Sequence, residues 1–260
     1  MLLELERIHN HVADLGMLCN DIGHGILNAH AQRVREQLLR LKCEITGHRL
    51  LRGGVVPGGA HLRALPDPAG LKAIGEDIRE ITGLALGHST VRDRFTGTAI
   101  LKADAARAIG CLGYVAGASG LVGDARVRHP FAPYDTRLDV PVHDSGDVLA
   151  RFLVRAEEID TSLGLIEHFA HGLPTPMALP TPMPLPAPPP APGAGPRTGV
   201  GLVEGWRGTI ATRAELAPDG TPARPKPVDP SFFNWPACAS GTEMPPHGVR
   251  RSGCGGPASG

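Results

Sequence analysis

Between residues 174 and 196 the chain carries 11 of its 26 prolines, among them the run Pro186–Ala187–Pro188–Pro189–Pro190. Proline has a fixed φ and no backbone N–H, so neither a helix interior nor an inner strand can pass through such a stretch. The segment is expected to be an extended polyproline-type linker or surface loop, with the core formed on either side of it. Residues 1–173 then read as a helical core and 197–237 as a β-hairpin segment that packs on it. The last residues, 238–260, hold six Gly and three Pro without periodicity and read as a disordered tail.

Before the prolines, apolar residues recur at helical spacing. Leu5, Ile8, Val12, Leu15, Cys19 and Ile22 step by three and four, the seam of a helix packed against others. This helix begins at Met1 with no Ser, Thr, Asp or Asn to cap it. A second helix is expected through Val34, Leu38, Leu41 and Ile45 to Gly47, and a glycine-rich turn over 52–59. A third runs through Leu71, Ile74, Ile78, Ile81 and Leu84. Asp104 is the expected N-cap of a fourth, reaching Ala116. Asp147 is the expected cap of the longest helix, with Phe152, Ile159, Leu163 and Ile166 in its buried stripe and Gly172 as its stop. Past the prolines, 208–216 alternates with period two, Ala217–Pro218–Asp219–Gly220 is a turn, and a return strand should follow to about Lys226.

Composition removes several classes of function. Lys plus Arg and Asp plus Glu are 26 each, so the formal net charge is zero and no long-range field steers the chain to nucleic acid or an anionic surface. With six Phe, two Tyr and two Trp, stacking platforms for bases are scarce as well. No nucleic-acid partner is expected. The longest charge-free apolar run outside the proline-rich stretch, Ala108–Gly123, has five glycines and is shorter than the roughly 20 residues a membrane span requires. The five cysteines form no CxxC pair, which favours reduced thiols in a cytoplasmic setting over a disulfide framework.

Motifs of known chemistry are scarce: there is no GxGxxG fingerprint, P-loop or GxSxG elbow. His9 and His11 are two apart and point to nearly opposite sides of a helix, so they cannot share an ion. No metal site is expected from the histidines. One stripe of the first helix stands out: Arg7, His11, Asp14 and Asp21 share a sector of roughly 80° beside the apolar seam. Such a line of groups can relay protons or hold a polar network where two subunits meet, and it can also be a solvated face.

Several strings, in order along the chain, carry a family resemblance. They are Glu4–Leu5–Glu6–Arg7–Ile8–His9–Asn10–His11, then Asp14–Leu15–Gly16 with Asn20–Asp21–Ile22–Gly23, and Gly47–His48–Arg49 on to Gly58–Gly59. Next come Ser119–Gly120, Asp124 and Arg126, then Gly146–Asp147 with Arg151, Arg155 and Glu157. The last are Glu204–Gly205–Trp206–Arg207–Gly208 and Asp229–Pro230 through Trp235–Pro236. Together these resemble the large subunit of membrane-bound (group 4) nickel–iron hydrogenases of the formate-hydrogenlyase type, and the related 49 kDa subunit of respiratory complex I. The likeness covers about residues 1–237 and leaves out the proline-rich insertion.

The resemblance implies a mostly α fold, a helical bundle of the hydrogenase large-subunit type with a small β-hairpin after the insertion. It implies an oxidoreductase subunit of hydrogen or NADH:quinone redox chemistry, held on an iron–sulfur small subunit at the cytoplasmic face of a membrane arm. Asp21 matches a family aspartate on the polar route toward that arm, and His11 and Arg7 match family positions on the same helix, which makes the three candidates for a proton route. Gly58, Gly59, Asp124, Arg126, Glu204 and Arg207 match motifs of structure or of contact between subunits. Family members use a nickel–iron centre or a quinone. The cysteine pairs that hold the metal, and the quinone-site His and Tyr, have no counterpart here. The expectation is therefore a chain truncated at both ends, without a cofactor of its own and inactive alone. The alternative is a non-catalytic assembly module that binds the iron–sulfur subunit.

Overall fold

The computed structural model describes residues 1–56, 59–134, 138–173, 195 and 197–239. Apart from Gly195, the proline-rich segment lies outside these residues, as do Gly58 and the tail beyond Ala239. The elements follow in the order α1 (Leu2–Asp21), α2 (Gly25–Thr46), β1 (Val55–Val56), β2 (Gly59–Ala60), α3 (Pro68–Gly87), α4 (Ser89–Phe95), α5 (Ala103–Ile109), α6 (Gly113–Ala118), α7 (Ala125–Arg128) and α8 (Val148–Gly172). Then come β3 (Arg197–Gly205), β4 (Gly208–Leu216), β5 (Pro222–Val228), α9 (Ser231–Asn234) and a 3-10 turn, Trp235–Ala239.

The architecture is mostly helical. α1 runs through the middle, with α2 on one side and α8 on the other. Leu5, Ile8, Val12, Leu15 and Cys19 of α1 join Val34, Leu38 and Ile45 of α2, Ile74, Ile78 and Ile81 of α3, and Phe152, Ile159 and Ile166 of α8 in one buried cluster. α1 and α2 approach closely because Gly16 faces Ala31: a side chain on Gly16 would sit 2.6 Å from the Ala31 Cβ. A smaller cluster joins Leu101, Ala106, Tyr114, Val115, Ala150, Val154 and Ala237.

Local signals set several boundaries. α1 has no side-chain cap. α2 stops at Gly47, whose φ of 85° suits glycine. Asp67 and Asp147 cap α3 and α8 by accepting from Gly70 N and Ala150 N. Several expectations change. The helix expected from Asp104 to Ala116 is two, because Gly110 turns left-handed (φ 80°) after α5. Asp104 lies in the first turn of α5 and Lys102 holds the N-cap position. The expected hairpin is a three-stranded antiparallel sheet in the order β3-β4-β5, with 197–205 as a further strand. Pro225 and Pro227 sit on β5, an edge strand, which is where a sheet tolerates proline. The glycine-rich turn contains the short β1–β2 hairpin, and the stretch after the sheet is helical.

A buried ion network on the first helix

Glu4, Arg7 and His11 recur every three or four residues on α1, and Glu158 and Ser162 every four on α8, so each set forms one face. Where the faces meet, Arg7 Nε donates to Glu4 Oε2 at 3.1 Å and Arg7 Nη1 to Glu158 Oε2 at 3.2 Å. His11 Nε2 lies 2.6 Å from the same Glu158 oxygen. Ser162 Oγ donates to Glu4 Oε2 at 2.8 Å. None of these is a solvated group: Arg7 is 1% exposed and His11 0%.

The network continues into α7 and the sheet. Asp124 caps α7 through Arg126 N and pairs with the Arg126 guanidinium, whose Nη1 also reaches Glu4 Oε2 at 3.1 Å. Arg7 donates to the backbone carbonyls of Glu204 and Gly205 at 2.7 and 3.2 Å. The Glu204 side chain accepts from Ala125 N at 2.9 Å and from Thr209 Oγ1 at 2.6 Å. Three helices and two strands thus share one set of buried charges.

Burial alone would raise Glu158, but Arg7, His11 and Arg126 outweigh it and hold its carboxyl down at about 2. Glu4 meets the same opposition between burial and the Arg7 and Arg126 charges, and it too ends below the usual range. Burial lowers His11, so its imidazole is neutral at neutral pH. An ionised Glu158 can only accept, which places the ring proton on Nε2 and leaves Nδ1 as a bare acceptor. That Nδ1 is buried with no hydrogen-bond partner among the described residues. Glu204 behaves oppositely to Glu158: burial and the nearby Asp124 charge push it up to about 7.

A cationic shell lies beyond His11. Tyr114 of α6 and Trp206 both stand edge-on to its ring, with centroids 6.5 and 6.2 Å away. Arg155 lies over Tyr114, 3.7 Å from the ring centroid, and pairs with Asp14 at 3.3 Å. Arg207 covers Trp206 at 4.2 Å. Two glycines allow this approach, for a side chain on Gly113 would collide with the Arg207 carbonyl, and one on Gly208 with Leu112.

The structure therefore brings Arg7, His11, Asp124, Arg126 and Glu204 into one network, with Asp14 and Arg207 beside it. Asp21 is not part of it: it is exposed at the end of α1. Gly59 is exposed in β2. The sequence motifs point to Glu157 and miss Glu158, the hub; Glu157 lies outside, 3.0 Å from His143. The signal that could have found the hub is Arg151, Arg155, Glu158 and Ser162, polar residues at helical spacing in an otherwise apolar stripe.

A second buried pair lies on the other side of α1. Lys42 Nζ of α2 donates to His9 Nδ1 at 3.1 Å, and both residues are no more than 5% exposed. A mostly apolar cavity of about 900 Å3 opens between the start of α1, the end of α8 and β3, lined by Leu2, Leu51, Phe131, Tyr134, Phe169 and Leu202 among others. Among the described residues no three His, Cys, Asp or Glu side chains converge as metal ligands, and no helix is long and apolar enough to cross a membrane.

Known proteins share both the sequence and the fold. An NADH-quinone oxidoreductase subunit of Phocaeicola vulgatus is 31% identical over 178 residues, 66% of this chain and 34% of that protein. Another NADH-quinone oxidoreductase subunit, from Salinispora arenicola, is 32% identical over 174 residues, 64% of this chain and 39% of that one. Formate hydrogenlyase subunit 5 of Escherichia coli is 30% identical over 181 residues, 67% of this chain and 32% of that one. The chain thus spans about a third of the length of these curated relatives. The fold matches a chain of the membrane-bound sulfane sulfur reductase, an archaeal respiratory membrane complex, with a TM-score of 0.74 at 22% identity, over 89% of this chain and 64% of that one. Residues 21–191 match the respiratory-chain NADH dehydrogenase 49 Kd subunit family, and the chain belongs to that family.

Proposed function

We propose that the chain works as part of an oxidoreductase large subunit in hydrogen or quinone redox chemistry. It would dock on an iron–sulfur small subunit at the cytoplasmic face of a membrane assembly. The observation that carries this reading is the neutral, fully buried His11, with Nε2 on Glu158 and Nδ1 without a partner among the described residues. Redox steps at hydrogen or quinone move protons with electrons. His11 Nδ1 can take one up, and the Glu158 carboxylate 2.6 Å from Nε2 stabilises the imidazolium that forms. Asp21 is proposed as the outer end of this route. It stands ten residues from His11, about 15 Å along the helix, with the Asp14–Arg155 pair between them.

A nickel–iron centre does not fit the residues described. It demands soft thiolates brought together. Cys19 and Cys111 are buried and Cys43 is exposed, with no converging ligand set around them. Burial also pushes the Cys19 thiol up to about 11, so it stays protonated. No step is assigned to such a centre.

The guanidinium of Arg7, which ties α1 to α8 and β3, favours a second reading in which the chain is a non-catalytic scaffold for the same partner. Isolation of the tagged chain from cells that make it separates the two. An iron–sulfur subunit in equal amount, with hydrogen- or quinone-linked dye reduction that falls in Asp21→Asn while assembly persists, supports the redox reading. Co-isolation without turnover leaves the scaffold. Recovery of the chain alone overturns both.

A further inference from the structure

Glu204 differs from the other carboxylates of the buried network. Glu4 and Glu158 each have a guanidinium nitrogen within 3.2 Å, and Asp124 has one at 2.7 Å. Among the described residues, the Glu204 carboxyl, on a residue 2% exposed, receives only neutral donors, the Ala125 N–H and the Thr209 hydroxyl. Arg7 bonds its backbone carbonyl instead. The remaining charged groups around it are committed elsewhere. Arg126 of α7 is held by Asp124 and Glu4, and Glu158 of α8 by Arg7 and His11. Arg155 pairs with Asp14, and Arg207 lies over Trp206 and donates to Ser231. The hydrogen-bonded set thus holds four carboxyls, Glu4, Asp124, Glu158 and Glu204, against two guanidiniums, Arg7 and Arg126. A buried carboxylate without a cation is strongly disfavoured, and the group keeps its proton instead.

We propose that Glu204 is a proton-loading site, a buried carboxyl that is the acid in the folded chain and exchanges its proton as the charge of the surrounding network changes. Oε2 already accepts both hydrogen bonds, which leaves Oε1 to carry the proton. The exchange is a simple proton transfer, with no bond to a heavy atom made or broken. A positive charge arriving on the network, such as a proton gained at His11, favours loss of the proton from Oε1 to solvent, so the total charge is kept. The site rests on the network's geometry and stands whether or not the assembled complex performs redox chemistry.

Infrared spectroscopy of the full chain, with its glutamates carboxyl-labelled with carbon-13, tests this directly. The carbonyl stretch of a protonated glutamic acid should be present in the mildly acid range, fade as the pH passes about 7, and vanish in Glu204→Gln. Asp124→Asn, which removes the neighbouring negative charge, should move the fading to lower pH. Urea denaturation adds a second readout. A carboxyl raised from 4.5 to about 7 on folding makes the chain lose stability as pH rises between those values, and Glu204→Gln should remove that slope. If Glu204→Gln does not fold, the wild-type band and its shift in Asp124→Asn decide. A fully ionised glutamate spectrum in the mildly acid range overturns the proposal, as does a band unchanged in Glu204→Gln.

Discussion

His9 and His11 stand two residues apart on α1 and are both buried, yet their surroundings give them opposite tasks. His9 faces α2, where Lys42 can only donate, so the imidazole must accept. Burial, with the Lys42 and Arg35 charges, lowers His9 to about 4, and burial lowers Lys42 to about 8. His11 faces α8, where the Glu158 carboxylate can only accept, so the imidazole donates. The α2 side thus holds a buried cation on a neutral partner, and the α8 side holds more carboxyls than guanidiniums. Burial alone does not decide what a histidine does; the sign of the group opposite it does.

The largest test of this contrast is Arg7→Met. It leaves Glu4 and Glu158 buried with fewer counter-charges, and breaking a buried ion pair in this way costs about 3–5 kcal/mol. Urea denaturation of the full chain should show it. A loss under about 1 kcal/mol would mean that the α8 side depends on its charges no more than an ordinary polar surface does. Lys42→Met should do much less. It removes a buried charge and with it the donor to His9, two effects of opposite sign, so a change within about 1 kcal/mol is expected. A loss as large as that of Arg7→Met would erase the contrast.

The pH profile supplies the remaining tests, and there every sign can be worked out. Lys42 falls from 10.5 to about 8 on folding, so the wild type gains stability as pH rises between those values, and Lys42→Met lacks the gain. His9 falls from 6.5 to about 4, so its contribution is lost as pH drops through that window. Glu158, held at about 2 against 4.5, contributes above 4.5 and is lost as pH falls toward 2. Across most of the His9 window the Glu204 slope runs the other way, so variants measured against wild type separate the two.

The helices are legible in the sequence because their signals are local. Leu5, Ile8, Val12, Leu15 and Cys19 are α1 residues in the core, Gly47 ends α2 in a left-handed turn, and Asp147 caps α8. The departures have equally definite reasons. Asp104 has the chemistry of a cap, but the chain enters α5 through Lys102 and breaks at Gly110, so the following turn starts again at Gly113. β3 escapes the sequence pattern because Gly199 and Gly201 interrupt its alternation, and because its first five residues are exposed on an edge strand. Of the polar stripe, the placing of Arg7 and His11 on one helix face is readable, since residues four apart share a face. Their separation from Asp21 is not, because helical angle says nothing about where the neighbouring helix ends.

Periodicity and caps belong to the chain itself, and they determined the helices, their buried faces and the placing of Glu4, Arg7 and His11 on one side of α1. Everything that makes those residues a site was decided by packing. Glu158, 151 positions away from Arg7, becomes its partner only when α8 lies against α1. Glu204 becomes a buried carboxyl without a cation only when β3 closes over α7. Charge in water is cheap and local in its effects, whereas charge out of water is governed by whichever group the fold sets beside it. That pairing is a property of the tertiary structure, and it gives one histidine of α1 a carboxylate and the other an amine.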